Sequence, residues 1–169
     1  MTPYFDSARR RLLAAALVLF GLHMKNLAAA LVNTTHYAIK TVANFDATTW
    51  RQLLRAGPRP AAYVFSNSFC AICPEVFALL HQTVGASGQS VELVAILMDV
   101  RGDRALAVAR HYTGATQVYA FDGPETAIRK AIDPKWRNIT PYVVLVGRNG
   151  RLQRGIGEPD ARQLHAWLG

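Results

Sequence analysis

The chain has 169 residues, 51% hydrophobic and 18% charged, with a net charge of +8. That length holds one well-packed domain plus a short appendage, not two large domains. Two cysteines exclude a disulfide scaffold but allow one switchable pair, and the basic residues are scattered without the long run expected of a nucleic-acid surface.

At the N-terminus, Arg9-Arg10-Arg11 precede an apolar run from Leu12 to Leu22. A basic cluster before an apolar stretch shorter than the roughly 20 residues of a membrane span reads as a secretory signal. Ala28-x-Ala30 supplies a signal-peptidase site, and Arg9-Arg10-x-Leu12-Leu13 resembles a twin-arginine export signal. The competing reading is an uncleaved anchor from Leu12 to Val32, which must carry Lys25 at membrane depth. Residues 1–30 are therefore expected to be a signal peptide or membrane anchor, with 36–169 forming one domain on the periplasmic side.

Tyr37, Ile39 and Val42 predict a half-buried edge strand over 36–42. Asp46 is an N-cap for a helix with Trp50, Leu53 and Leu54 on one face, and Gly57-Pro58 ends it. Ala61 to Phe65 is an apolar strand. Pro74 opens a helix striped by Val76, Phe77, Leu80 and Val84 that ends near Gly85. Val91 to Leu97 is nearly continuous apolar, the pattern of a strand covered on both faces. Asp103 starts a helix carrying Ala105, Val108, Ala109 and Tyr112, and Asp99 belongs to its leading loop. Gln117 to Phe121 is a short strand, and Pro124 opens a helix with Ile128 and Ile132 inward. Ile139 to Val146 is an apolar strand entered by a proline. Arg148-Asn149-Gly150 is a hairpin turn, because Asn-Gly tolerates positive φ, and Arg151 to Ile156 is the return strand. Pro159 opens the last helix, striped by Ala161, Leu164, Trp167 and Leu168. This order predicts an α/β fold with a mixed central sheet flanked by helices. Trp50, Trp136 and Trp167 are expected in the packing.

The chemistry concentrates in Phe69-Cys70-Ala71-Ile72-Cys73-Pro74, at a strand-to-helix turn. Two thiols with this spacing close into a disulfide with little backbone movement. The helix N-terminus, with its partial positive charge, favours a thiolate. The stretch reads as a redox centre.

C-x-x-C at such a turn, Thr140-Pro141 entering a later strand, and a closing hairpin and helix together resemble the thioredoxin fold. A strand–helix insertion, here Asp99 to Ile132, makes the chain similar to the TlpA/ResA-like branch of exported thiol-disulfide oxidoreductases. Thr140 to Gly150 resembles that branch's T-P-T-x-F-L-I-D-x-x-G run. The resemblance implies a periplasmic oxidoreductase without a cofactor. In it Cys70 attacks, Cys73 resolves, Pro141 follows a cis bond against the disulfide, and the backbone of Thr140 pairs with a bound peptide. Phe69, Ala71 and Ile72 would touch the partner. The implied partners are protein thiols or disulfides and a membrane electron donor or acceptor. The branch points to a reductant role in cytochrome c or copper-site maturation.

Some positions depart from the family. Phe69 replaces the usual Trp, and the buried carboxylate of thioredoxin maps to Val64. Glu75 reads as a solvated first-turn charge. The alternative function is a Cu(I) metallochaperone, since two thiolates suit a soft metal. The Sco copper family, however, uses C-x-x-x-C spacing with a later His, whereas His81, His111 and His165 here sit on predicted helices. A third reading, a structural disulfide in an interaction module, is weakened because so short a loop adds little stability.

Overall fold

The computed structural model describes residues 39–169. The signal or anchor reading of 1–30, and residues 36–38 of the predicted first strand, lie outside the described residues. The strands are β1 (Ala43–Phe45), β2 (Ala61–Ser66), β3 (Glu92–Leu97), β4 (Gln117–Phe121), β5 (Tyr142–Val146) and β6 (Leu152–Ile156). The helices are α1 (Ala47–Ala56), α2 (Cys73–Ser87), α3 (Gly102–Ala109), α4 (Glu125–Ile132) and α5 (Ala161–Leu168). The six strands form one mixed sheet in the order β1-β4-β3-β2-β5-β6. The four strands from β1 to β2 run parallel to their neighbours, and β5 and β6 are antiparallel additions.

Strand alternation sends residues of β2 to opposite faces, and both faces are covered. Ala62 and Val64 join Cys73, Phe77 and Leu80 of α2 and Trp167 of α5 in one core. Ala61, Tyr63 and Phe65 join Phe45, Trp50, Phe121, Trp136 and Tyr142 in the other. All three tryptophans are buried, as expected. Trp167 Nε1 donates to the Ala61 carbonyl at 3.0 Å, tying α5 to β2.

Most predicted elements form where expected, with shifts at their ends. The first strand is Ala43–Phe45 rather than 36–42. Ile39 and Val42 pack on the core without pairing, and the register is set instead by Phe45, which lies opposite Phe121 with the rings stacked at 5.7 Å. Asp46 then caps α1 through the Thr48 and Thr49 amides, leaving no room for a longer strand. Helix α2 passes Gly85 and stops at Gly88, whose φ of 64° supplies the left-handed cap. Strand β5 starts at Tyr142, because Pro141 has no N–H to give the ladder and Ile139 is exposed in the loop before it; the Thr140–Pro141 bond is cis. Arg59–Pro60 is also cis. Helix α3 begins at Gly102 behind Arg101, without a side-chain cap. Asp160 caps α5 in a capping box with Gln163.

The segment Asp99 to Ile132 holds α3, β4 and α4, and places β4 between β1 and β3. This is the expected insertion. Among the described residues, no helix is long and apolar enough to cross a membrane.

Candidate active site

Strand β2 delivers the cysteine loop. It ends at Ser66, after which the Cys70 amide donates to the Asn67 carbonyl at 3.2 Å and the Cys73 amide to the Cys70 carbonyl at 3.3 Å. These two turns wind the chain into α2, whose first residue is Cys73 and whose next is Pro74. Proline suits the first turn, where its missing N–H costs nothing. No side chain caps this helix, so its positive end is left to the sulfurs.

Cys70 and Cys73 form a disulfide with their Cα atoms 5.4 Å apart. The two sulfurs have unlike surroundings. Cys70 is half-buried, whereas Cys73 is 0% exposed and belongs to the core beneath α2. Ala71 is exposed, Ile72 is 52% exposed and Phe69 is 88% exposed, so the loop presents an apolar rim around Cys70. Glu75 is exposed in the first turn.

The second wall comes from β5. Phe65 pairs with Tyr142, which sets the buried Pro141 beside the end of β2, where the cysteine loop departs. Asn67 Nδ2 donates to Thr140 Oγ1 at 3.1 Å, so the cysteine loop and the cis-proline loop touch. The Pro141 carbonyl accepts the Gly157 amide at 2.8 Å, which fixes the loop to the end of β6. Thr140 is half-buried.

Beneath this wall, Tyr142 donates its hydroxyl to Asp133, and Trp136 stacks on Tyr142 at 4.4 Å. Trp136 Nε1 donates to the Ile139 carbonyl at 3.0 Å, closing a brace around residues 133–142. The Tyr142 hydroxyl holds the Asp133 carboxyl below its ordinary 3.8, while burial and that carboxylate push the Tyr142 phenol up. A depressed carboxyl contributes stability above its unfolded pKa and loses it as pH falls through its folded value. Asp133→Asn should therefore flatten the acid limb. Between about pH 5 and about pH 2 the variant loses less stability to unfolding than the wild type, as urea denaturation at each pH will show.

On the other side of the cysteine loop, Asp99 accepts the Ser68 amide at 2.9 Å and the Ser68 hydroxyl at 2.5 Å. Asp99 lies in the loop leading into α3, as the sequence predicts, and from there it braces the cysteine loop. Underneath, the buried Tyr112 hydroxyl donates to the buried Ser66 hydroxyl. Burial pushes the Tyr112 phenol up, as does the nearby Asp99 charge. Val64 is fully buried, and with valine there this strand offers no carboxylate for proton transfer. His81 is exposed on α2 and lies beside Gly114, where an added Cβ would overlap its ring. Among the described residues, no three His, Cys, Asp or Glu side chains gather as a metal site.

The sequence reading placed Cys70, Cys73, Thr140, Pro141 and the Phe69, Ala71 and Ile72 rim at one locus, and they gather at one end of the sheet. It missed Asn67, Ser66, Asp99 and Tyr112. An asparagine immediately after a strand and before a C-x-x-C turn is the one local signal, since its side chain readily bonds an amide two residues on.

No protein-family model matches the chain, and no curated protein does. Solved structures do. DsbF of Mycobacterium tuberculosis is 14% identical, covering 64% of this chain and 81% of its own, with a TM-score of 0.48. A thio-disulfide isomerase from Thermus thermophilus is 19% identical, covering 64% and 76%, with a TM-score of 0.44. StoA from Bacillus subtilis is 18% identical, covering 63% and 80%, with a TM-score of 0.44. These are distant likenesses of fold. The sheet order and the disulfide at the β2–α2 turn define a thioredoxin-like fold with a redox-type cysteine pair. Strand β4 lies between β1 and β3 in that sheet.

Proposed function

We propose that this domain is a thiol-disulfide oxidoreductase that acts on protein disulfides. The observation that carries the reading is the asymmetry of the pair: Cys70 is open to a partner, while Cys73 is sealed in the core one helical turn away.

From the dithiol state, the Cys70 thiolate attacks one sulfur of the partner disulfide. That bond breaks, and one partner sulfur leaves as a thiolate and takes a proton. Cys73 loses its proton and attacks Cys70 Sγ, forming the intramolecular disulfide and releasing the second partner thiolate. Two electrons and two protons pass from the cysteine pair to the partner. An external donor of dithiol class, membrane-held in this proposal, restores the pair. The helix N-terminus stabilises the Cys70 thiolate, both as attacker and as leaving group. Pro141 caps the disulfide, the Thr140 backbone pairs with the partner chain, and Phe69, Ala71 and Ile72 cover apolar residues beside its cysteine.

The direction is reductive in this proposal, the location periplasmic, and the partners cysteine-bearing apoproteins of the cytochrome c or copper-site type. The resemblance of the C-x-x-C and Thr140–Gly150 segments to the exported branch supports this. With dithiothreitol as the electron source, the full chain should accelerate insulin reduction at pH 7, and Cys70→Ser should return the rate to the buffer blank. A wild-type rate equal to the blank sinks the reading.

A further inference from the structure

We infer that Asn67 is a positioning residue that holds the exposed Cys70 sulfur in register with the peptide-docking backbone at Thr140; this rests on the oxidoreductase reading above. Both ends of the Asn67 side chain and its backbone carbonyl are committed to the site. Its Oδ1 accepts the Phe69 amide at 3.1 Å, and its Nδ2 donates to Thr140 Oγ1 at 3.1 Å. Its backbone carbonyl accepts the Cys70 amide at 3.2 Å and the Ser66 hydroxyl at 3.2 Å. Ser66 in turn accepts the Tyr112 hydroxyl in the core. The backbone of Asn67 is thus held from beneath by a buried hydroxyl pair, while its side chain straps the cysteine loop to the cis-proline loop.

The orientation of the amide follows from the partners. The Phe69 amide can only donate, so the amide oxygen must face it and the NH₂ must face Thr140. Alanine has neither group, and serine is too short to reach both loops.

A partner disulfide needs both loops at once, because its backbone lies along Thr140 while its sulfur meets Cys70. Reaction rates fall steeply when reacting atoms are misplaced, by about 100-fold for 1 Å. A small aromatic disulfide touches Cys70 alone and is indifferent to the distance between the loops. Asn67 therefore governs the reaction with polypeptide disulfides more than the intrinsic chemistry of the thiol.

The test compares two probes with the pre-reduced full chain in single turnover: insulin, and 5,5′-dithiobis(2-nitrobenzoic acid). In Asn67→Ala the ratio of the insulin rate to the small-disulfide rate should fall about tenfold. Thr140→Val removes the other end of the strap and should lower the ratio similarly. The double variant should be no worse than Asn67→Ala alone, because that variant has already broken the Asn67–Thr140 link. Circular dichroism checks folding, and if Asn67→Ala does not fold, Thr140→Val decides alone by the same ratio. A ratio within about twofold of wild type, or a double variant whose losses multiply, overturns the inference. Either result leaves the oxidoreductase reading standing, whereas a wild type that does not reduce insulin takes down that reading and the inference with it.

Discussion

Cys73→Ser should turn the protein into a trap. Cys70 still attacks a partner disulfide, but nothing resolves the mixed disulfide, so adducts joined through Cys70 accumulate and turnover falls to the blank. Non-reducing electrophoresis should show a shifted band that dithiothreitol abolishes and that is missing in Cys70→Ser. The burial of the two sulfurs sets the asymmetry of the prediction. Cys73 is fully buried under α2, so serine there fits the cavity and leaves the rim intact. Cys70 is the sulfur a partner can reach. Equal trapping by the two single variants would mean that both sulfurs attack, which the burial pattern forbids.

Phe65→Ala should cost the most stability of any single truncation near the site, about 3–5 kcal/mol. Phe65 is 0% exposed, and its ring centroid lies 5.8 Å from Phe45, 5.9 Å from Trp50, 5.3 Å from Trp136 and 6.3 Å from Tyr142. Truncation forfeits the transferred apolar area and opens a cavity among rigid rings that cannot collapse to fill it. A domain of this size has only about 5–15 kcal/mol in total, so the variant keeps a thin margin. Phe65 also precedes Ser66, the last residue of the strand that delivers the cysteine loop, so loss of insulin reduction should accompany the loss of stability. A urea midpoint unchanged from wild type would contradict the aromatic core as described.

The central strands were legible because their surroundings are simple. Residues of β2 and β3 are buried on both faces, and a run of apolar residues is the direct consequence. The helices showed through their stripes and caps, Asp46 among them. The short edge strand β1 was not legible, since its position depends on Phe121, far along the chain, and not on any local alternation. The same holds at the site. The two cysteines stood out by their spacing, and the place of Pro141 beside them came from resemblance. The Asn67–Thr140 contact joins residues 73 positions apart, and no local pattern announces it. Asp99 is legible as a residue of the loop before α3, but its bonds to the Ser68 amide and hydroxyl cross 31 positions of chain and are not.

The central claim is that Cys70–Cys73 is a working pair in the folded state, with Cys70 the reactive sulfur. The most direct test is brief dithiothreitol reduction of the folded full chain at pH 7, followed by a limiting pulse of iodoacetamide and mass-spectrometric mapping of the label. The predicted result is opening of the disulfide with the circular dichroism spectrum preserved, and label on Cys70 with Cys73 still unmodified. A disulfide that opens only when the chain unfolds, or label arriving first on Cys73, would contradict it.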